Sequence, residues 1–311
     1  MELRELTYFV AIAEECSFTR GAARVGVVQS AASAAVSRLE REFAHELFSR
    51  NGRSIELTHA GQVLLTRART VLADARLVRE DMQLLSGELM GTVTLGTVLT
   101  TGDLDLAAAL TDFHRRHPRV AVCVRLSAGP ESDHARRVLD GTFDLALLPM
   151  VEQYPAGVAV VQVAWMQLAL VCRQDDPLAH AHGVRYRDIV ERTFVDFPAH
   201  WGNRAIVEGL FHSENLERTV GIEVVDANIA VKLVQGGVGL AFLPDSVLAD
   251  HPGLARVDLV TPPRRRRVGL AVANDRPTPE TVKALHHVLV AQRSGDTAVE
   301  TNGRPPVEDL P

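Results

Sequence analysis

The 311-residue sequence has few cysteines, few aromatic residues and no long hydrophobic run. Its three cysteines, Cys16, Cys123 and Cys172, lie far apart and form no Cys-x-x-Cys pair, which argues against a disulfide framework or a cysteine-based zinc site. No apolar stretch approaches the roughly 20 residues that a transmembrane helix requires. We therefore expect a protein without a metal or cofactor that makes no contact with a membrane.

Signal-peptide features are also missing. The first ten residues, MELRELTYFV, carry Glu2 and Glu5 where a signal peptide has cationic residues, so we expect a cytoplasmic protein. The net charge of −6 argues against a chain that binds polyanions over its whole surface, although it leaves room for a local basic patch. The length predicts about two domains.

The start of the chain predicts three short helices and a hairpin. Apolar residues recur at helical spacing over residues 3–13, and Ser17 is suited to cap a second helix that ends near Val25. Gly26 supplies a turn before a third helix over residues 29–43. The Asn51-Gly52 pair between two short extended runs is a strong hairpin signal. Together these elements predict a winged helix-turn-helix.

The second and third helices are rich in small residues. Alanines would let the two helices approach closely, while Gln29, Ser30, Ser33 and Ser37 would form a polar outer face suited to the major groove of DNA. An alanine-rich helix pair in a core, with serines merely tolerated, is the alternative interpretation. The charge over residues 1–58 does not decide between them, because seven arginines meet eight acidic residues.

A long helix capped by Thr58 is predicted next. Its apolar residues recur at alternating steps of four and three, which is the pattern of a coiled-coil seam. We predict that this seam pairs two copies of the chain; packing on its own domain is the alternative. The predicted dimerisation residues are Leu64, Ala68, Val71, Ala75, Val78, Met82 and Leu85.

After Gly91 the pattern changes to alternating strands and helices. The order β-α-β-α-β predicts a parallel sheet with right-handed crossovers, and a second set of strands and helices follows it. Crossover strands between the two lobes are expected near residues 160–164 and again near Arg267. The polar tail over residues 296–311 is expected to be disordered.

The N-terminal 60 or so residues resemble the LysR-type transcriptional regulators. The resemblance rests on L-x-x-F-V, S-F-T-x-A-A, Q-x-x-x-S-x-x-V-x-x-L-E, L-F-x-R and L-T-x-A-G, which occur here in MELRELTYFVAIAEECSFTRGAARVGVVQSAASAAVSRLEREFAHELFSRNGRSIELTHAG. It implies a winged helix-turn-helix over residues 1–58, a dimerising linker helix over 59–90 and an effector-binding domain over 91–295. That domain is expected to consist of two α/β lobes like a type 2 periplasmic binding protein.

The resemblance also implies partners: double-stranded DNA, a small-molecule effector, a second copy in a homodimer or homotetramer, and RNA polymerase. Arg50 and Arg53 flank the hairpin tip, where they would reach a phosphate or the minor groove; solvated charge is the alternative. The DNA-binding candidates are Thr19, Arg20, Gln29, Ser30, Ser33, Ala34, Ser37, Arg38, Arg50 and Arg53.

Five positions depart from the family pattern. Val28 stands where a capping Ser or Thr is usual, Ser30 where Pro is frequent and Ala34 where Arg is frequent. In addition, Gly21 replaces an alanine and His59 replaces a glutamate. We therefore expect the class of protein to be unchanged and the details of base reading to differ.

Three loops at carboxyl ends of predicted strands are the effector-site candidates, because ligands in open α/β sheets lie there, near helix N-termini. Hydroxyls and N–H groups favour an anionic or polar ligand, and Trp201 is suited to stack on a ring; capping or surface roles are the alternative for each residue. The effector-binding candidates are Thr97, Thr100, Thr101, Ser127, Phe197, His200, Trp201, Asn203 and Asn228.

Three other motifs could suggest a nucleotide site, a metal site or a basic binding patch, and we expect none of them to form such a site. GGVGLAF lacks the Gly-x-Gly-x-x-Gly pattern and precedes a strand, His114-x-x-His117 has no evident third metal ligand, and the arginines at 264–267 are expected to be solvated or to contact another subunit. No nucleophile elbow or paired catalytic carboxylates occur, so we expect no enzymatic activity. A small-molecule-binding protein or an enzyme on the periplasmic-binding-protein-like fold is the alternative function.

Overall fold

The computed structural model describes residues 1–51, 54–84, 88–98, 101–126, 132–199 and 201–292. The chain divides into two compact units. The first comprises Met1–Met90 together with Asp140–Thr142, and the second comprises the remainder from Gly91 onward. The tail over residues 296–311, predicted to be disordered, lies outside the described residues.

The first unit is a helix-turn-helix with a hairpin. Its elements are α1 (Leu3–Glu15), α2 (Phe18–Arg24), α3 (Gln29–Phe43), β1 (Phe48–Asn51), β2 (Ser54–Leu57) and α4 (His59–Leu84). The two strands pair in antiparallel fashion, with Asn51 opposite Ser54. The predicted three helices and hairpin are therefore confirmed, including both ends of α3.

Local chemistry explains where these helices begin. The Ser17 hydroxyl accepts a hydrogen bond from the Arg20 N–H at 3.3 Å, and the Thr58 hydroxyl accepts one from the Gly61 N–H at 3.0 Å, so each caps the helix that follows it. The turn between α2 and α3 passes through Gly26 with φ of +72°, which glycine adopts without steric cost. Val28 precedes α3 without a side-chain capping bond, as the sequence predicted.

Close packing accounts for the small residues of this unit. Ala22, Ala32 and Ala35 are buried, and α1 contacts α2, α3 and α4. A Cβ atom on Gly21 would lie 2.6 Å from the Cα atom of Ile12, so the departure from alanine at this position lets α1 and α2 approach more closely. The core also includes Leu6, Phe9, Ile12, Val36, Leu39, Leu47 and Phe48.

The second unit has two lobes. The first lobe contains a five-stranded sheet in the order β4-β3-β5-β12-β6, and the second contains the sheets β10-β7-β11 and β8-β9. The strands are β3 (Gly91–Thr97), β4 (Val120–Leu126), β5 (Leu145–Pro149), β6 (Val158–Met166), β7 (Leu168–Arg173), β8 (Thr193–Asp196), β9 (Thr219–Glu223), β10 (Ala241–Pro244), β11 (Leu254–Arg256) and β12 (Arg266–Ala273). The helices are α5 (Leu106–Arg116), α6 (Ser132–Leu139), α7 (Tyr186–Ile189), α8 (Gly202–Ser213), α9 (Ala227–Gln235), α10 (Val247–Asp250) and α11 (Glu280–Ala291).

The predicted strand directions are confirmed in the first lobe. Strand β3 pairs in parallel with β4 and β5, whereas β12 returns to pair in antiparallel fashion with β5 and β6. The chain leaves this sheet between β6 and β7 and returns to it at β12, close to the predicted crossovers. None of the helices in the described part of the chain is long and apolar enough to cross a membrane.

Short elements escaped the sequence analysis. These are a 3₁₀ turn over Pro177–His180, the four-residue helices α7 and α10, and the three-residue strand β11. Each is too short to repeat a hydrophobic pattern, because a helical face requires at least two turns, and a strand several residues, to show its spacing. All four lie between β7 and β12 along the chain, in the second lobe.

Candidate nucleic-acid and effector sites

The outer face of α3 is the first candidate site. Gln29, Ser30, Ala34 and Ser37 are exposed on it, and Ser33 is half-buried. The opposite face of the same helix is buried in the core through Ala32, Ala35, Val36 and Leu39. The helix therefore presents hydroxyl, amide and methyl groups to solvent from a rigidly packed backbone.

A hydrogen bond joins α2 to the first residue of α3. The Thr19 hydroxyl donates to the side-chain carbonyl oxygen Oε1 of Gln29 at 3.1 Å, across ten residues that include the turn. Both side chains are exposed. Two predicted DNA-binding residues are thus connected to each other, which the sequence did not reveal.

Three arginines of the helix-turn-helix are paired with acidic residues of α1. Arg20 lies 3.7 Å from Glu15, Arg24 lies 2.6 Å from Glu14, and Arg38 lies 2.5 Å from Glu5. The acidic residues of α1 therefore offset the positive charge of these arginines. The charge count along the sequence could not show this, because it does not reveal which acids lie beside which arginines in space.

Arg38, a predicted DNA-binding residue of α3, is held by an ion pair with Glu5 of α1. Glu5 is buried, accepts the Arg38 hydrogen bond, and accepts a second bond from the Glu2 backbone N–H at 3.0 Å. The Arg38 guanidinium, followed by the Glu2 N–H, holds the pKa of the Glu5 carboxyl below its usual value. The Arg38 side chain is half-exposed, so the pairing with Glu5 leaves part of it accessible to solvent.

Arg41 is a residue that the sequence analysis missed. It is exposed on α3, one turn beyond Ser37, and its Nε donates to the Ser37 carbonyl at 3.2 Å. No carboxylate pairs with it among the described residues. Its helical position four residues after Ser37 was a signal that could have identified it. The Arg50 side chain and Arg53, both predicted to reach DNA, lie outside the described residues.

The linker helix α4 carries two different apolar stripes. Ala68 is buried in the core of its own domain, so the prediction that it pairs with a second copy is wrong, whereas Leu64 is packed against that core but only partly buried. The physical reason is that the first turns of α4 lie against α1. Further along, Val71, Val78 and Met82 are exposed, with Ala75 half-buried between them, while Leu85 lies outside the described residues.

In the first lobe, the candidate effector loop follows β3. Thr97 is buried and its hydroxyl donates to the Val98 carbonyl at 3.1 Å, while the Thr101 hydroxyl donates to the Leu104 carbonyl at 3.1 Å. Both hydroxyl protons are therefore engaged within the loop, and their oxygens remain as acceptors. Thr100, Ser127 and His200 lie outside the described residues.

This loop is attached to the crossover strand β6. The Asp103 backbone N–H donates to the Trp165 backbone carbonyl at 2.9 Å, and the Trp165 backbone N–H donates to the Asp103 carboxylate at 2.8 Å. The Arg265 guanidinium lies 4.7 Å from the centre of the Trp165 ring and 3.5 Å from the same carboxylate. Arg265, in the run at 264–267, thus contacts its own chain, where we expected solvent or another subunit.

The aromatic pair of the second lobe is buried. Phe197 and Trp201 are 1% and 9% exposed, and both belong to a core cluster with residues of β7 and α9. Neither ring is presented to solvent, because both pack on the sheet and on each other, and the stacking of Trp201 on a ligand ring stays a prediction. The Nε1 atom of Trp201 has no hydrogen-bond partner among the described residues.

A charged network beneath this loop was not predicted. Asp196, at the end of β8, pairs with Arg218, whose side chain is 3% exposed, and lies 3.5 Å from Arg204. Its Oδ1 atom also accepts the Phe197 N–H at 2.7 Å, while Arg204 donates to the Phe197 carbonyl at 3.1 Å. The network fixes the backbone from which the 197–201 loop departs.

Two helix N-termini differ in their capping. The Asp226 carboxylate accepts the N–H groups of Asn228 and Ile229, so α9 already has an anion at its N-terminus and Asn228 is exposed beside it. In contrast, Trp201 precedes α8 without a side-chain cap, and Asn203 is half-buried in the first turn. Of the two ends, α8 is better suited to an anionic ligand.

The described residues contain no group of three or more His, Cys, Asp or Glu side chains that could hold a metal ion.

In comparisons with known proteins, residues 3–62 match the bacterial regulatory helix-turn-helix protein model of the lysR family, and residues 86–294 match the LysR substrate binding domain. The chain is 31% identical over 244 residues to the HTH-type transcriptional regulator ShiR of Corynebacterium glutamicum (strain R), covering 78% of this chain and 82% of ShiR.

Solved structures show the same fold. Full-length CbnR in complex with its target DNA superposes with a TM-score of 0.62 at 22% identity, covering 94% of this chain and 100% of CbnR. The regulatory domain of CcmR from Synechocystis PCC6803, in complex with 2-PG, superposes with a TM-score of 0.58 at 19% identity, covering 67% of this chain and 100% of that domain. The expected winged helix-turn-helix and two-lobed effector domain are confirmed.

Proposed function

The chain belongs to the LysR family of bacterial helix-turn-helix proteins, and from this premise we propose how it binds its partners. It is a LysR-type DNA-binding transcriptional regulator with an effector-binding domain. The observation that carries the proposal is the exposed polar face of α3 on a packed helix-turn-helix. In this proposal α3 enters the major groove of double-stranded DNA, with residues 1–58 as the binding domain and 59–90 as the linker.

Contacts on DNA divide into two classes. Gln29, Ser30, Ser33 and Ala34 lie on the N-terminal half of α3, where side chains of a recognition helix reach base edges. Ser37, Arg41 and the flanking Arg20 and Arg38 would contact phosphates, and so would Arg50 and Arg53 at the hairpin. Because Arg20, Arg24 and Arg38 are paired with acids of α1, we propose that base contacts carry a large share of the binding affinity.

The effector domain over residues 91–295 would bind a small anion. Arg204 and Arg218 are balanced by Asp196 and Glu208, so the support for an anion comes from the uncapped N-terminus of α8, which favours negative charge. The CcmR regulatory domain, which is similar in fold, was solved in complex with 2-PG, and this supports a small ligand on this fold. Thr97, Thr101 and Asn203 would supply polar contacts, as would Thr100, Ser127, His200 and Asn228.

Self-association would use the exposed stripe of α4. Val71, Val78 and Met82 are 37%, 62% and 63% exposed, although they are apolar and follow one another along one side of the helix. We expect two copies to cover each other's stripe in a homodimer. Two such dimers would then form a homotetramer. Such an assembly would act in the cytoplasm by binding, without turnover, and would contact RNA polymerase at the promoter.

A salt titration tests the proposal. The purified protein is titrated against DNA from upstream of its own gene and against scrambled DNA of equal length. Preference for the native DNA that persists at about 150 mM salt supports sequence-specific regulation, whereas equal and steeply salt-dependent binding to both would contradict it.

Two variants sharpen this test. Ser33→Glu places a carboxylate against the DNA and is expected to abolish binding while the oligomeric state by size exclusion stays unchanged. Ser213→Glu, on the exposed end of α8 in the other unit, is the matched control and should bind DNA like the wild type. Dissociation or unfolding of the Ser33 variant would instead assign Ser33 a structural role.

A further inference from the structure

We propose that Thr19 is a positioning residue that fixes the carboxamide of Gln29, so that Gln29 presents its NH₂ group to DNA as a donor. The inference rests on the proposed use of the α3 face. It starts from the 3.1 Å hydrogen bond in which the Thr19 hydroxyl donates to Oε1 of Gln29. A carboxamide has one acceptor end and one donor end, so a bond that holds the acceptor end determines where the donor end faces.

Both partners are held by their own helices. The Ser17 cap fixes the first turn of α2, and the neighbouring Phe18 ring packs edge-on against Phe48 with the ring centroids 5.4 Å apart. Gln29 is the first residue of α3, whose next turn is anchored by the buried Ala32. Because both backbones are fixed before DNA arrives, little conformational entropy is lost when the side chains engage.

The bond gains importance when water leaves the interface. In the free protein both side chains are exposed, and water competes for the same groups. Against DNA, an unpaired amide or hydroxyl group would be desolvated without compensation, which is costly. The Thr19 hydroxyl then satisfies one lone pair of Oε1, and both N–H groups of Gln29 remain for acceptors on the DNA.

The chemistry of the acceptor follows from this orientation. Donor groups pair with O6 or N7 of guanine, N7 of adenine, O4 of thymine, or a phosphate oxygen. The shared feature is a hydrogen-bond acceptor, which a base edge or the backbone can supply. Replacing guanine by 7-deazaguanine removes one base acceptor, while a methylphosphonate removes a phosphate charge, so the two substitutions distinguish the sources.

The test uses the full-length protein and DNA enriched by it from a randomised pool. Thr19→Val removes the hydroxyl at nearly constant size, Thr19→Ser retains it, and Gln29→Ala removes the positioned group. We expect Thr19→Val to weaken binding to the enriched DNA about 3- to 10-fold, with Thr19→Ser close to wild type and binding to scrambled DNA unchanged. In the Gln29→Ala background, Thr19→Val should have no further effect.

Several outcomes would overturn the proposal. These are additive effects of the two substitutions, equal weakening on scrambled DNA, or a Thr19→Ser protein as weak as Thr19→Val. Gln29→Glu is the second test if Thr19→Val unfolds: it keeps an acceptor for Thr19 but removes the donors, so it should lose the enriched DNA, and retention would refute the donor role. A wild type that shows no preference for the enriched DNA would instead contradict the proposed function itself.

Discussion

The indole of Trp201 lies parallel to the ring of Phe197, with the ring centroids 5.8 Å apart and the planes inclined by 6°. The stack joins the end of β8 to the start of α8, across the loop that the sequence predicted to receive an effector. The tryptophan therefore already has an aromatic partner from its own chain. A ligand at this loop would meet the backbone and polar groups around the stack before it met the indole face.

Trp201 supports a first prediction about stability. Trp201→Ala removes most of a buried side chain and should lower the free energy of unfolding by about 3–5 kcal/mol. Trp201→Phe keeps an aromatic ring and removes an indole N–H that has no partner among the described residues, so it should cost less than about 1.5 kcal/mol. Urea unfolding followed by circular dichroism measures both. Equal costs for the two variants would show that the stack is unimportant.

The buried pair of Asp196 and Arg218 supports a second prediction. Asp196→Asn leaves the Arg218 guanidinium, whose side chain is 3% exposed, without its carboxylate, and should destabilise the effector domain by about 3–5 kcal/mol. The guanidinium also lies 5.0 Å from the centre of the Phe194 ring, so it cannot move to water without disturbing the core. Tryptophan fluorescence during urea unfolding reports the effect, since both tryptophans lie in this unit.

Matched variants separate charge from packing at this position. Asp245→Asn breaks the exposed pair with Arg256 and should change stability by less than about 1 kcal/mol. The double variant Asp196→Asn/Arg218→Met should recover much of the loss, because it removes the unpaired charge together with its partner. A double variant as unstable as Asp196→Asn alone would show that the lost stability has another origin.

Local patterns in the sequence were sufficient to predict most elements. The start of α3 was predicted because Gly26 supplies a turn before a run of small, helix-forming residues. The parallel order of β3, β4 and β5 was predicted because short strands alternate with helices. In both cases the signal lies within about 15 residues of the element that it determines.

Contacts between distant residues could not be predicted in this way. Asp196 and Arg218 are 22 positions apart, and Asp103 and Trp165 are 62 positions apart. Nothing in the spacing of charges selects one partner among many. The burial of Ala68 shows a related limit, since periodicity identifies an apolar face of α4 but not the surface that covers it.

The uncapped N-terminus of α3 gives a third prediction. Val28 precedes the helix with an extended backbone, has no capping bond and is 69% exposed, so Val28→Thr can add a cap without disturbing the core. We expect this change to stabilise the DNA-binding domain by about 1 kcal/mol, and Ser17→Ala, which removes the α2 cap, to destabilise it by a similar amount. Val28→Ala is the control and should be nearly neutral. Thermal unfolding monitored by circular dichroism would contradict the prediction if the threonine variant melted no higher than the alanine variant.

The three cysteines should differ in reactivity, which is a fourth prediction. Burial, reinforced by the charge of Asp176, raises the pKa of the Cys172 thiol to about 11, so this thiol stays protonated near pH 8. Cys16 and Cys123 are exposed. A disulfide reagent should therefore label these two quickly and Cys172 only after denaturant is added. Mass spectrometry of labelled peptides identifies each site, and rapid labelling of Cys172 in the native protein would refute the assignment.

The Glu5–Arg38 pair gives a fifth prediction, about pH. The folded-state pKa of Glu5 is lowered, so its contribution to stability is present above its unfolded value of about 4.5 and is lost as the pH falls through the folded value. Glu5→Gln should therefore destabilise α1 at pH 6–7, by about 1 kcal/mol, and the difference from wild type should shrink as the pH falls below about 4.5. Hydrogen exchange of the α1 amides, compared between the two proteins at each pH, measures this difference locally. Arg38→Gln should show the same pH dependence, because it removes the other half of the pair, and the double variant should be no less stable than either single one. A difference that stayed constant from pH 7 to pH 3.5 would mean that Glu5 stabilises α1 through its shape and hydrogen bonds alone, without its charge.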